Sequence, residues 1–175
     1  MSDQQQLISP DGRWSWDGSD WRPRDPAAQD LSDDEDPAPA NTYGLDDNCY
    51  YVTAAVLANT TVETLITATE TMQQRGGASE AEITELFNAA NLVSAHESFN
   101  DLEAVIDHLH ETSGGFDRTF GLAFVRGDGS GHMVVANWDG NEQAFSYTDY
   151  QADAAGADAT ADVEAGQLFH LYGPQ

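Results

Sequence analysis

Residues 43–175 of this 175-residue chain predict an α+β domain in which a helical half precedes an antiparallel β-sheet half. Two observations carry that prediction. Between residues 46 and 114 apolar side chains recur at helical spacing, with cap residues before each run and glycine pairs after two of them. Beyond residue 120 the alternation shortens to every second residue. Helices therefore come first and strands second, without the strand-helix alternation of a parallel sheet. One core of ordinary size fits this length, with residues to spare for an appendage.

The appendage is N-terminal. Residues 1–23 hold Trp14, Trp16 and Trp21 around Asp11-Gly12 and Asp17-Gly18. Such Asp-Gly pairs favour tight hairpin turns, which predicts a mini β-meander. Residues 24–42 combine Pro26, Pro37 and Pro39 with the acidic run Asp33, Asp34, Glu35 and Asp36. They carry too little apolar surface to order themselves and predict a linker.

Within residues 43–175, Asp46, Asp47 or Asn48 caps a first helix beginning at Cys49, with Val52, Ala55 and Val56 on one face. Thr60 and Glu63 form a capping box for a second helix bearing Val62, Leu65, Ile66 and Met72, closed by Gly76-Gly77. Ser79 and Glu82 repeat the device before Ile83, Leu86, Phe87 and Ala90. A fourth helix turns Leu102, Val105, Ile106 and Leu109 inward and stops at Gly114-Gly115. Residues 120–126, 132–138, 143–149 and 167–172 then read as strands, and the polar stretch 152–166 reads as a loop.

The chain carries 31 acidic against 6 basic side chains, a formal charge of -25. Phosphate backbones and anionic lipid surfaces are repelled by such a surface, so nucleic acid and membrane are excluded as partners. No run approaches the length of a membrane span, and residues 1–12 lack the basic and apolar regions of a secretory signal. The expected location is the cytoplasm of the producing cell, with export requiring a dedicated secretion system. The single Cys49 excludes an internal disulfide and a multi-cysteine zinc centre.

A cysteine becomes nucleophilic where its thiolate is stabilised, and the first turn of a helix does this with amides that have no intrahelical acceptor. Cys49 follows Asp47-Asn48 at such a start. The same amides suit the oxyanion of a tetrahedral intermediate. The base must come from elsewhere in the chain, and His132 opens a strand directly after the glycine-rich turn at 127–131, where small residues leave an imidazole accessible. With residues 139–142 as the turn, Trp138 faces Gln143 and His132 faces Asp149. A two-residue turn would instead pair His132 with Tyr147. Asp139 is a weaker third member because its place before Gly140 is explained by turn chemistry, and Asn137 shares the histidine's own strand.

This order of Asn48-Cys49, Gly131-His132-Met133-Val134-Val135 and Asp149-Tyr150-Gln151 resembles the papain-like cysteine peptidase superfamily. The likeness is nearest to the papain-fold toxin and glutamine-deamidase domains of bacterial polymorphic toxins. Those domains carry an NC helix start, a GH followed by apolar residues and a DxQ on the next strand. The resemblance implies a papain-like fold for residues 43–175 and a cysteine-dependent amide hydrolase, either protease or deamidase, acting as a toxin-like effector on a protein or peptide substrate. Cys49, His132 and Asp149 would be its triad, with Asn48 and Gln151 as oxyanion or helper residues. It implies no cofactor. Papain-type proteases also place a glutamine shortly before the cysteine, where this chain has Tyr43, Gly44, Leu45, Asp46 and Asp47. That departure supports a second reading, a papain-like binding or adaptor module without activity. A peptidoglycan amidase is the third. The tryptophan-rich element resembles short segments of actinobacterial proteins that recur beside unrelated partners.

His96, His108, His110 and His170 are expected as surface or core residues, and no metal site is predicted. His108 and His110, two apart on a helix, point to different faces.

Overall fold

The computed structural model describes residues 14–16, 21–23, 40–42, 47–71, 77–92, 95–113 and 115–173. The chain divides into two compact units, Met1–Asp36 and Pro37–Gln175.

In the first unit, strands β1 (Trp14–Trp16) and β2 (Trp21–Pro23) pair antiparallel, with Trp16 opposite Trp21. Residues 17–20, which include Asp17-Gly18, connect them; Asp11-Gly12 and a third strand of the expected meander lie outside the described residues.

The second unit is α+β. A six-stranded, wholly antiparallel sheet has the order β3-β8-β4-β5-β6-β7. Its strands are β3 (Ala95–Phe99), β4 (Arg118–Val125), β5 (Gly131–Asp139), β6 (Ala144–Asp149), β7 (Ala157–Asp158) and β8 (Gln167–Gly173). Alternation along the strands builds a core on each face. Phe120, Leu122, Phe124, Val134, Ala136, Trp138, Phe169 and Leu171 form one core with Val105 and Leu109 of α4 (Leu102–Thr112) and Val163 of α5 (Thr160–Glu164). Met133 and Tyr172 form the other, with α1 (Cys49–Leu57), α2 (Val62–Thr69) and α3 (Glu80–Ala89).

The helices thus do not all lie on one side of the sheet. The expectation of a helical half packed on a sheet half is corrected to a sheet covered on both faces. The switch is made at β3, a strand inside a stretch read as helical, which carries the chain across the sheet edge before α4 begins. Its sequence AHESF pairs only with β8, and an edge strand needs little apolar surface to form.

Helix α1 is the central one. Tyr50 to Ala55 are six consecutive buried residues, so the helix is enclosed rather than amphipathic. Helix α2 departs from expectation at both ends. Thr61, not Thr60, is its cap, accepting from the amide of Thr64 at 3.3 Å. The amide of Glu63, which a Thr60 box would have taken, donates to Thr42 Oγ1 at 3.2 Å, and that of Val62 to the carbonyl of Ala40 at 3.0 Å. Residues 40–42, read as linker, therefore complete the first turn of α2. The helix ends at Glu70, in the left-handed region at φ 54°, ahead of Met72 and Gly76, which lie outside the described residues. The Ser79–Glu82 capping box of α3 is present in full. So are α4's inward residues, with Val105 and Leu109 buried and Leu102 and Ile106 packed beside them.

The stretch 152–166 is not a loop throughout. It forms β7 and α5, for which only Ala159 and Val163 supply buried apolar surface. The β5–β6 turn lies one residue later than expected. Asp139 stays in the ladder opposite Ala144, its carboxylate accepts from the amides of Asn141 and Glu142 at 2.8 and 2.9 Å, and Gln143 takes φ 55°. Trp138 consequently pairs with Phe145 rather than Gln143, a register shift of two.

Candidate active site

Met133 belongs to the core that holds α1, whereas His132 shares the parity of Val134 and Ala136 on the opposite sheet face. Cys49 opens α1 on the first face. The two residues come to one cleft near the end of β5, where the ladder with β6 has already stopped at Val135 and leaves that side of His132 open. Cys49 lies near enough to the imidazole to favour its charged form, and His132 Nε2 lies 2.8 Å from Asp149 Oδ2. With Nε2 taken by the carboxylate, Nδ1 is the ring nitrogen that remains for sulfur.

The ladder does not place His132 opposite Asp149 as expected. The paired register ends at Val135 with Thr148; counted onward it would set Val134 beside Asp149 and His132 beside Gln151. The shift of two keeps side-chain parity, so Asp149 is a diagonal neighbour on the same face, within reach of an imidazole. Its other oxygen, Oδ1, accepts from the backbone amides of Gln151 and Ala152 at 2.8 and 3.2 Å. This Asx turn fixes the carboxylate.

Asn48 and Gln151 are joined as well. Gln151 Nε2 donates to Asn48 Oδ1 at 2.9 Å, and Asn48 Nδ2 donates to Asn41 Oδ1 at 2.9 Å. Asn48 is fully buried and occupies the cap position of α1 without a side-chain cap bond. Its amide is thus engaged by Asn41 rather than presented to the cleft. All five residues singled out in the sequence lie in one connected set, running from Cys49 through His132, Asp149 and Gln151 to Asn48, the neighbour of Cys49. Asp46 and the other residues at 43–46 lie outside the described residues.

The alternatives for the third member are spoken for. Asn137 Oδ1 accepts from Thr119 Oγ1 at 3.1 Å, and Asp139 holds its own turn.

Burial opposes the charged form of His132, but the hydrogen bond to Asp149 and the nearby Cys49 outweigh it and raise its pKa from 6.5 to about 9. For Asp149, burial pushes upward and is overcome by the bond to His132, its positive charge and the two amides, which together hold the carboxyl below its usual range. The side chains are 6% and 16% exposed, so solvent screens the pair weakly. The imidazole is more enclosed than expected. Phe124, itself buried, meets it edge-on at 5.8 Å.

Cys49, His132, Asp149 and Gln151 line a cleft of about 760 Å³, with Tyr50, Ile83, Arg126 and Tyr172 among the other walls. Arg126 was not foreseen. It follows β4 and grips Asp162 of α5 with Nε and a terminal nitrogen, a bond that favours its charged form. Its only sequence signal is rarity, as one of 6 basic residues.

No protein-family model matches this chain, and no curated protein matches it either. Among the described residues no helix is long and apolar enough to cross a membrane.

Proposed function

We propose that the second unit is a papain-like cysteine amide hydrolase, acting through Cys49, His132 and Asp149 as a protease or glutamine deamidase. The observation that supports it most is that Cys49 and His132 line one cleft, with His132 Nε2 on an Asp149 carboxylate held by two backbone amides. An imidazolium beside a thiol is the arrangement that activates cysteine nucleophiles.

In this reading His132 carries the proton of Cys49, and the sulfur attacks the carbonyl carbon of a substrate amide. Amides of the α1 first turn receive the oxyanion, as helix N-termini do for developing negative charge. His132 then returns its proton to the leaving nitrogen as the C–N bond breaks, which leaves a thioester on Cys49. Water, deprotonated by His132, hydrolyses the thioester and restores the thiol. Asp149 keeps the ring oriented and its positive charge paired throughout. The substrate is a protein or peptide, and a toxin-like effector delivered by a dedicated secretion apparatus is the biological setting that the motif order favours.

The enclosure of Asn48 favours a second reading, a binding module that keeps the fold without turnover. Labelling by iodoacetamide at neutral pH separates the two. Rapid modification of Cys49 in the native chain, abolished by His132→Ala, supports catalysis, whereas modification only after unfolding supports the module. Ammonia release from glutamine peptides against appearance of new N-termini then separates deamidation from proteolysis.

A further inference from the structure

Three side chains outside the cysteine-histidine set converge from three elements: Glu80 from the first turn of α3, His96 from β3 and His170 from β8. The topology explains why. In the β3–β8 ladder His96 faces Tyr172 and Ser98 faces His170, so the two histidines are diagonal neighbours on the face that carries Tyr172. Helix α3 packs on that face, with Phe87 against Tyr172 at 5.2 Å, and this brings Glu80 over the imidazoles. The rings are stacked in place, His96 on Tyr172 at 4.7 Å and on His170 at 5.4 Å.

One donor atom from each of the three residues lies within 4.8 Å of the other two. His96 Nε2 is 3.2 Å from His170 Nδ1, His96 Nδ1 is 3.3 Å from Glu80 Oε1, and His170 Nδ1 is 4.0 Å from Glu80 Oε2. Ser98 Oγ is 2.9 Å from His170 Nδ1. With His96 Nε2 as its one donor, the 3.2 Å to His170 is close to the roughly 3.3 Å between ligands at tetrahedral zinc bond lengths of about 2.0–2.1 Å, and the 4.0 Å between His170 and Glu80 is longer. Glu80 has a side chain 56% exposed, so it is free to close the longer one.

We propose that Glu80, His96 and His170 bind a single divalent transition-metal ion of the zinc class. Two neutral imidazoles and a carboxylate suit a borderline cation, whereas magnesium and calcium prefer an all-oxygen shell. Three protein donors leave a fourth position for water or another ligand, as in open zinc sites. Glu80 and His170 also line the cleft that contains Cys49, so that position gives onto it. The site stands whatever Cys49 does.

The test is titration of the full-length chain with Zn²⁺ by calorimetry and imidazole NMR, in a Cys49→Ala background so that the thiol cannot hold the ion. One equivalent is expected to bind, the ring protons of His96 and His170 to shift, and His170→Gln to weaken binding about tenfold or more. Mg²⁺ at the same concentrations should produce neither effect. Absence of saturable binding overturns the proposal, as do shifts confined to His132 or to His108, which pairs with Glu97 at 3.3 Å. Should His170→Gln fail to fold, the ring-proton shifts of the chain with both histidines intact decide the matter.

Discussion

His132 and Asp149 are joined at 2.8 Å although the β5–β6 ladder ends at Val135 and Thr148, before it reaches them. What unites them is shared parity on one face of the sheet, together with the turn at Gln151 and Ala152 that aims the carboxylate.

That pair sets a pH dependence. The folded pKa of His132, about 9, lies above its ordinary 6.5. Its stabilising contribution is therefore fully present below pH 6.5 and lost as pH rises through 9. The gap is worth up to about 3 kcal/mol. Urea melts between these limits should show declining stability. In Asp149→Asn the His132 ring resonances should titrate about one unit lower or more, and an unchanged titration would remove Asp149 from the set.

If the pair serves Cys49, His132→Ala should slow its alkylation at pH 7 by about a hundredfold or more, the usual worth of a positioned base. Mass spectrometry of the labelled chain measures this directly. Equal rates in both chains would sink the catalytic reading.

Gly140 is needed for closeness rather than for an unusual backbone angle. A Cβ there would lie 2.3 Å from the carbonyl carbon and oxygen of Gly115, while its amide donates to Asp117 Oδ1 at 3.0 Å. Gly140→Ala should cost about 2 kcal/mol by forcing the β5–β6 turn away from the α4–β4 connection. Thermal unfolding with a shift below a few tenths of a kcal/mol would contradict the contact.

Trp138, buried in the core, donates its indole N–H to Ser113 Oγ at 3.0 Å. Ser113→Ala should destabilise by about 1–2 kcal/mol, since the indole then loses its partner inside the core. Ser113→Thr, which keeps the hydroxyl, should restore part of that loss in denaturant titration.

Leu168 occupies a bulge. Val125 pairs with Gln167 and Phe124 with Phe169, leaving Leu168 as the extra residue at φ 50° and 44% exposed. A left-handed bulge position ordinarily carries glycine. Leu168→Gly should therefore raise stability by about 0.5–1 kcal/mol, and a fall in Tm would show that the leucine packs more than its exposure indicates.

Local chemistry made much of this legible. The Ser79–Glu82 box, the inward stripe of α4 and the helix start at Cys49 each depend on neighbours within a few residues, and each is found where the pattern places it. The Thr60 box failed because a distant residue, Thr42, took the amide it needed. Strand β3 and helix α5 were missed because an edge strand and a short covering helix need few apolar residues, so composition leaves little trace of them. The register error arose from one turn residue, yet the pairing of His132 with Asp149 survived it, since a slip of two preserves the face and a slip of one would have lost it.

Sequence by itself determined the α+β class, the order of helices before most strands, and the residue types able to join Cys49, because period, caps and side-chain chemistry are local properties. Tertiary structure alone decided that the sheet is covered on both faces and that Glu80 meets His96 and His170. It also decided that Gln151 reaches back 103 positions to Asn48. Those contacts join residues far apart in the chain, and their positions follow from strand order and register, which no local pattern encodes.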